Sequence, residues 1–316
     1  MLDHFETAPR RLPSGIYEFQ HGLAGVTRQF LEDAAIYDAS YSNITHWRGL
    51  LEIALRSIPP LPAEPEIFDA GCGSGNMSLS LLDLFPDARI LAADISVNLL
   101  EILYDKLEVL GKLHRCTLVS MDLAADNPLC SRSFDLVVGG SILRHLLDPG
   151  SLLRKVCRWL RPGRCAVFFE PFAPGNAIMA TLYQRLVAER DMLGLSGEVV
   201  QALERIVLDT YTRLKADPSV MPHLDDKWLF TVGSLDRALH GHGTVRLIPL
   251  DSPHQFEDRT RRLVRLLTGS AALPEPAWEI VRDYDRLFGH IAGEVCSAAC
   301  VIVTPGLSDD VVQSQP

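Results

Sequence analysis

The chain has 316 residues, of which 47% are hydrophobic, and its 40 acidic against 30 basic side chains give a formal net charge of −10. This is enough for one large or two ordinary globular domains, and the acidic balance argues against a nucleic-acid partner, which would need a basic face. No apolar run of about 18 residues occurs, and MLDHFETAPRRLPSG lacks the apolar core of a secretory signal, so we expect a cytoplasmic protein without a membrane partner. The seven cysteines have no framework spacing, which predicts reduced thiols.

Residues 1–62 are predicted to form an N-terminal helical segment. In VTRQFLEDAAIYDASYSNITHWRGLLEIALRSI the apolar and aromatic residues recur at helical spacing. The prolines of PPLP at 59–62 end this pattern. We expect the segment to lie on the substrate side of the functional site, as a lid.

From residue 63 to 171 short apolar runs alternate with amphipathic ones. The runs predict strands at Glu66–Asp69, Arg89–Asp94, 116–122, 133–140 and 164–171, with helices at Ser74–Phe85, Val97–Leu110 and 151–160. Strands that are apolar on both faces and are separated by helices indicate a parallel sheet covered by helices on each side.

Beyond Pro171 the alternation is interrupted by two helical insertions, at 172–230 and 251–295. Between them, residues 231–250 return to the core with a helix and a strand at 244–250, and residues 296–316 hold a last strand at 298–305 and a polar tail. The predicted fold is therefore α/β, with a seven-stranded, mostly parallel sheet. A largely helical cap is formed by the N-terminal helices and by the insertions after strands five and six.

The loop after the first strand contains Gly71, Gly73 and Gly75, preceded by Asp69. A dinucleotide-binding fingerprint, G-x-G-x-x-G, would need a third glycine where Asn76 stands. A carboxylate is unfavourable beside a pyrophosphate and favourable beside a sulfonium or an ammonium group. The loop therefore indicates a site for a cationic cofactor.

This loop and the motifs after it resemble the class I S-adenosylmethionine-dependent methyltransferases. IFDAGCGSG, LAADIS, SMDLA, FDLVVGGSILRHLLDP and LRPGRCAVFFE follow one another in the family's order over about 66–170. The resemblance implies a Rossmann-like core over 63–171, with S-adenosyl-L-methionine as cofactor and S-adenosyl-L-homocysteine as product. One departure is Gly163–Arg164, where the family has a glycine pair.

The resemblance also implies roles for individual residues. It places Asp94 on both ribose hydroxyls, which one carboxylate can accept together, and Asp122 on the adenine amino group. Tyr37 would close over the methionine end of the cofactor, with core packing as the alternative for Tyr37 and Tyr41. The full set of candidate cofactor-binding residues is Asp69, Gly71, Cys72, Gly73, Gly75, Asp94, Ile95, Met121, Asp122, Leu123, Gly139 and Tyr37.

Methyl transfer requires an in-line arrangement of nucleophile, methyl carbon and sulfur with water excluded, and a hydroxyl acceptor also benefits from a general base. Candidate bases are His145 after the fourth strand, Glu170 at the end of the fifth, and His21 in YEFQHGLAG. For each, an ordinary structural role is the alternative. The same holds for His223 and His254 in cap loops, and for Arg261 and Arg265, which form either an anion site or a solvated helix face.

Three functions stay open from the sequence. The first is methylation of an oxygen or nitrogen of a small-molecule acceptor, such as a polyketide, sugar or modified amino acid, held under the helical cap. The second is methylation of a peptide, protein or RNA, although GGSILRH lacks the N-P-P-Y pattern of amino-group methylation. The third is a methyltransferase-like protein that binds the cofactor but catalyses another reaction, such as a cyclisation assisted by the sulfonium charge, or none. No metal-ligand spacing is present, and a homodimer is left open.

Overall fold

The computed structural model describes residues 1–19, 22, 26–126, 128–217, 219–269 and 273–306. The strands in these ranges are β1 (Arg10–Arg11), β2 (Tyr17–Glu18), β3 (Glu66–Ala70), β4 (Arg89–Asp94), β5 (Cys116–Ser120), β6 (Phe134–Gly140), β7 (Leu160–Pro171), β8 (Gly243–Pro249) and β9 (Ala298–Pro305). The helices are α1 (Arg28–Leu31), α2 (Ala34–Tyr41), α3 (Ile44–Leu55), α4 (Asn76–Leu84), α5 (Val97–Val109), α6 (Pro149–Trp159), α7 (Ala173–Ala188), α8 (Arg190–Leu193), α9 (Gly197–Lys215), α10 (Val232–Leu239), α11 (Gln255–Thr268) and α12 (Glu275–Phe288).

The strands form one sheet in the order β1-β2-β5-β4-β3-β6-β7-β9-β8. The central pairs β5–β4, β4–β3, β3–β6 and β6–β7 are all parallel. The α/β class with a mostly parallel, Rossmann-like sheet is thus confirmed. Because the chain leaves β3 on one side toward β4 and returns on the other side as β6, the order reverses between β3 and β6, where open α/β sheets bind their ligands.

The sheet has nine strands over the described residues, two more than the predicted seven. Both extra strands lie in residues 1–62, which were predicted to form a helical segment, and the prediction is wrong for residues 10–18. β2 pairs in parallel with β5, with Tyr17 opposite Val119, and β1 pairs with β2 in antiparallel orientation. This pairing satisfies backbone groups of β5 that would otherwise form an open sheet edge.

The starts of α5 and α6 follow from local capping residues. Ser96 accepts a hydrogen bond from the backbone N–H of Leu99 at the start of α5. Asp148 accepts one from Ser151 at the start of α6, where Pro149 occupies the first turn. Such side chains satisfy N–H groups that the helix itself leaves unpaired, so α5 and α6 begin at fixed positions beside the carboxyl ends of the strands.

The chain divides into two compact units. The first comprises residues 1–169, 232–247 and the chain from residue 300 onward, and the second comprises 170–231 and 248–299. In the first unit Phe68 stacks on Phe134 at 5.2 Å and meets Trp159 edge-on. The second unit has a separate helical core that includes Leu203 and Phe256, both fully buried. The second unit contains the two insertions, whose capping role stays a prediction.

Within the described part of the chain, no helix is both long and apolar enough to span a membrane.

Candidate cofactor-binding site

The glycine loop follows β3 and turns the chain into α4 through three residues with positive φ. Gly71, Gly73 and Gly75 have φ of 73°, 53° and 96°, a region that glycine adopts without strain. At Gly75 a Cβ would lie 2.2 Å from Leu103 Cδ1, so no larger residue fits there. At Gly73, by contrast, nothing lies within 4 Å of an added Cβ. The loop therefore has an open side at Gly73, where a ligand can approach the backbone.

The loop is attached to the end of β4 through Ala93 and Asp94. The N–H groups of Gly71 and Cys72 both donate to the carbonyl of Ala93, at 2.8 and 3.0 Å. The N–H of Gly73 donates to Asp94 Oδ2 at 2.8 Å, and the N–H of Ser96 donates to Asp94 Oδ1 at 2.9 Å. Each carboxylate oxygen keeps acceptor capacity beyond these bonds. Asp94 can therefore hold the loop and accept hydrogen bonds from a ligand at the same time.

Asp69, the glycine loop and Asp94 together form what we call the cradle, and within it Asp69 is only 1% exposed. Its Oδ2 accepts a hydrogen bond from Ser78 Oγ at 2.6 Å, whereas its buried Oδ1 has no hydrogen-bond partner among the described residues. Burial, with a smaller contribution from the Asp94 carboxylate, raises the pKa of Asp69 to about 7. A buried carboxyl with an unused oxygen suits a ligand that brings a positive charge or a donor. The sequence did not identify Ser78, which orients this carboxyl.

The segment after β5 forms the next wall of the cradle. Met121 and Leu123 are buried, and the Met121 N–H donates to the Asp94 carbonyl at 3.0 Å. Asp122 is partly exposed, and its Oδ1 accepts from the Ala124 N–H at 2.8 Å. Ile95 is also partly exposed beside Asp94. The predicted ribose-binding and adenine-binding residues are thus joined through the backbone of Asp94 and Met121.

Close packing restricts Gly139 and Cys72. A Cβ at Gly139 would lie 2.7 Å from both Ile142 Cγ2 and Phe168 Cδ1, so a larger residue near the end of β6 would force these side chains to shift. Burial raises the pKa of the Cys72 thiol well above its ordinary value, which makes the thiol unreactive. Packing thus restricts Gly139 in β6, and Cys72 is a buried, unreactive member of the glycine loop.

An aromatic cluster formed by Phe30, Tyr37, Tyr41 and His145 lies in the first unit. The Phe30 ring meets Tyr37 edge-on at 5.2 Å and His145 edge-on at 5.3 Å. Tyr37 also contacts Tyr41 at 4.9 Å, and because Tyr41 is 58% exposed, the core-packing interpretation is wrong for this residue. The structure thus brings the predicted residues Tyr37 and His145 together through Phe30, which the sequence analysis did not single out.

The N-terminal helices are hydrogen-bonded to the elements of the cradle. Ser96 Oγ donates to the Phe30 carbonyl at 2.5 Å, and Asn98 donates to the Leu31 carbonyl. Lys106 of α5 donates to Asp38 Oδ1 of α2 at 2.6 Å and to the carbonyl of Ser74 in the glycine loop at 3.1 Å. These bonds fix α1 and α2 beside the loop and α5.

The remaining candidate residues lie in the second unit or outside the described residues. Glu170 is 2% exposed near the end of β7 and belongs to the second unit, as do the exposed His223 and His254. Arg261 pairs with Glu257 and lies 4.6 Å over the Trp278 ring, which favours the structural interpretation of that helix face. His21 lies outside the described residues. Among those that are described, no group of three His, Cys, Asp or Glu side chains could hold a metal ion.

Comparison with known proteins identifies the class of this site. Residues 67–163 match the family described as "Methyltransferase domain". The demethylmenaquinone methyltransferase of Chlorobaculum tepidum is 28% identical over 165 residues, which are 51% of this chain and 65% of that relative. The trans-aconitate 2-methyltransferase of Methylobacterium nodulans is 33% identical over 112 residues, 35% of this chain and 40% of its own length. The chain thus spans under two thirds of either relative.

Among solved structures, phosphoethanolamine N-methyltransferase 2 of Haemonchus contortus, crystallised with S-adenosyl-L-methionine, has a TM-score of 0.55 and 15% identity, covering 90% of this chain and 59% of its own. At this identity the likeness concerns the fold. The parallel sheet, the glycine cradle and the family match together define residues 67–163 as a class I S-adenosylmethionine-dependent methyltransferase domain. The open side at Gly73 and the unused Oδ1 of Asp69 fit that cationic cofactor.

Proposed function

We propose that this protein transfers a methyl group from S-adenosylmethionine to an oxygen or nitrogen of a small-molecule acceptor. The observation that carries the proposal is the cradle of Asp69, Gly73 and Asp94, in which one oxygen of a buried carboxyl has no partner among the described residues while the loop beside it is open. A pyrophosphate would be repelled by these two carboxylates, whereas a cation is attracted. The named acceptors of the two relatives, demethylmenaquinone and trans-aconitate, are small molecules, which supports the acceptor class.

The bound cofactor supplies a methyl carbon made electrophilic by its sulfonium. The chain's own residues then have binding and orienting tasks. The two oxygens of Asp94 would accept hydrogen bonds from the ribose hydroxyls while remaining hydrogen-bonded to Gly73 and Ser96. Asp122 would accept a hydrogen bond from the adenine amino group, and Met121 and Leu123 would flank the ring. Holding the donor in one geometry removes much of the entropy cost of an in-line displacement.

His145 is the best supported of the candidate general bases. It follows β6 at the switch point of the sheet and lies in the same aromatic cluster as Tyr37. A histidine at this position can take the proton from an acceptor hydroxyl as the methyl carbon is attacked. Glu170 and His21 remain predicted alternatives, Glu170 as a buried carboxyl and His21 from its sequence context alone.

The test is calorimetric titration with S-adenosylmethionine, followed by measurement of S-adenosylhomocysteine release with panels of hydroxyl, carboxyl and amine acceptors. Gly73→Ala is the diagnostic variant, because its methyl group would fill the open side of the loop. Gly111→Ala is the matched control, since Gly111 also has a positive φ, 66°, and no atom within 4 Å of an added Cβ. Both variants bear the same left-handed strain, on the order of 1–2 kcal/mol.

We expect Gly73→Ala to weaken cofactor binding by tenfold or more, about 1.4 kcal/mol, and Gly111→Ala to bind as the wild type does. Equal affinities in the two variants would contradict the assignment of the loop. Tight binding without release of product on any acceptor would instead support the third function, a cofactor-binding protein that does not transfer methyl groups.

A further inference from the structure

Lys155 is a buried lysine that none of the roles described above uses. It lies on α6, is 5% exposed, and donates hydrogen bonds to three consecutive backbone carbonyls, those of Leu123, Ala124 and Ala125, at 3.0, 2.9 and 2.5 Å. An ammonium group has three donors. Every donor of Lys155 is therefore directed at one short segment of the chain.

Such convergence has a physical requirement. Three carbonyl oxygens directed at one point repel one another unless a cation lies between them. A buried ammonium is equally unfavourable without hydrogen-bond partners; burial lowers the pKa of Lys155, and the nearby Asp126 and Asp122 carboxylates oppose that shift. The lysine and the segment 123–125 therefore depend on each other for their positions.

The segment held by Lys155 continues directly from the residues assigned to adenine. Asp122 Oδ1 accepts a hydrogen bond from the N–H of Ala124, whose carbonyl is one of the three Lys155 partners. The orientation of the Asp122 carboxylate is thus connected to the ammonium through a single peptide segment. Leu123, which lines the same wall, contributes another of the three carbonyls.

We propose that Lys155 is a positioning residue for the adenine end of the cofactor site, which holds 123–125 so that Asp122 can recognise the adenine amino group. This inference rests on the proposed function, because it takes an adenosyl cofactor as the ligand. Through Lys155, helix α6 would contribute to the selection of adenine over other nucleobases, although α6 lies outside the glycine loop.

The experiment compares calorimetric binding of S-adenosylhomocysteine with binding of its hypoxanthine analogue, in which an oxo group replaces the adenine amino group. Lys155→Met removes the ammonium and keeps the chain length. Lys227→Met is the matched control, because Lys227 is 3% exposed and its Nζ donates to the Leu224 carbonyl in the second unit. If Lys155→Met does not fold, as read from circular dichroism, Lys155→Gln takes its place.

We expect the wild type and Lys227→Met to prefer adenine over hypoxanthine by roughly tenfold or more, the effect of one hydrogen bond to a charged group. Lys155→Met should lose most of this preference. A purely structural role would weaken both ligands equally and leave the ratio unchanged, and that result would overturn the inference, as would a wild type without preference. No binding of either ligand by the wild type would instead contradict the proposed function itself.

Discussion

The burial and the raised pKa of Asp69 indicate the charge of the ligand that would fit beside it. Its exposed fraction is 1%, and its pKa is raised to about 7 by burial and by the Asp94 carboxylate. In the ligand-free protein a carboxyl this deeply buried is unfavourable, because burial destabilises its ionised form. A ligand that carries a positive charge would stabilise it, and binding and stability should therefore both depend on this residue.

The raised pKa of Asp69 has a defined effect on the pH dependence of stability. The folded protein keeps this proton up to about pH 7, whereas the unfolded chain releases it near its ordinary pKa of 3.8. The folded state thus binds more protons within this window, so the contribution of Asp69 to stability falls as pH rises from about 4 to about 7 and is constant above it. The slope reaches about 1.4 kcal/mol per pH unit for one proton.

Asp69→Asn should remove this slope. We expect the unfolding free energy of the ligand-free wild type, relative to that of Asp69→Asn, to decrease between pH 5 and pH 7 in denaturant titrations. Asp87→Asn, which removes an exposed carboxyl of the same unit, serves as the control and should retain the wild-type slope. If the unfolding free energy of the wild type minus that of Asp69→Asn is flat or rises over this range, Asp69 is ionised in the fold and the expectation is wrong.

The strands and helices of the cradle could be predicted from the sequence where neighbouring residues alone determine their bounds. The bounds of β4 agree with the sequence prediction, those of β3 and α5 differ by one residue at one end, and those of α4 differ by one or two residues at each end, because apolar runs and helix starts are encoded in neighbouring residues. β2 was missed, since it pairs with residues a hundred positions away and is two residues long. Arg164, noted as a departure from the family, donates to the Pro60 carbonyl at 2.7 Å and pairs with Asp135, contacts that no spacing rule predicts.

The side chain of Asn76 makes hydrogen bonds that position the N-terminal helices. The residue that takes the place of a third glycine accepts a hydrogen bond from the Asn43 N–H at 2.9 Å and donates to the Tyr41 carbonyl at 3.2 Å. Tyr41 ends α2 and Asn43 caps α3, so one side chain fixes the junction of both helices to the start of α4. The same position that excluded a dinucleotide site thus attaches α2 and α3 to the start of α4.

Asn76→Ala should loosen this junction without unfolding the protein. Each lost hydrogen bond is worth about 0.5–1.5 kcal/mol, so we expect amide hydrogen exchange in α2 and α3 to become roughly tenfold faster, as measured by mass spectrometry of peptides. Exchange in α9 should not change. Thr212→Ala, which removes a side-chain bond within α9, is the control, and an Asn76→Ala variant with wild-type exchange in α2 and α3 would refute the role of this contact.

At the scale of the whole molecule, the candidate cofactor-binding residues and the separate helical core lie in different units. Asp69, the glycine loop, Asp94 and 121–123 all belong to the first unit, and the second unit has its own cluster of buried apolar side chains. The sequence predicts this division only as two insertions, because the apolar pattern of a helix does not reveal which other helices cover it. A substitution inside the core of the second unit should therefore lower the stability of that unit without changing the affinity for the cofactor.

Leu203→Ala is the substitution suited to this separation. Leu203 of α9 is fully buried in the second unit, and its truncation should destabilise that unit by about 2–5 kcal/mol. We expect faster hydrogen exchange throughout α7, α9 and α11, with S-adenosylhomocysteine affinity within twofold of wild type in calorimetry. Leu100→Ala, at an equally buried position of α5 in the first unit, should lower both stability and affinity, because α5 is capped by Ser96, whose N–H donates to Asp94 Oδ1. A loss of affinity in Leu203→Ala as large as that in Leu100→Ala would mean that the second core supports the cofactor cradle directly, against the assignment of the cradle to the first unit alone.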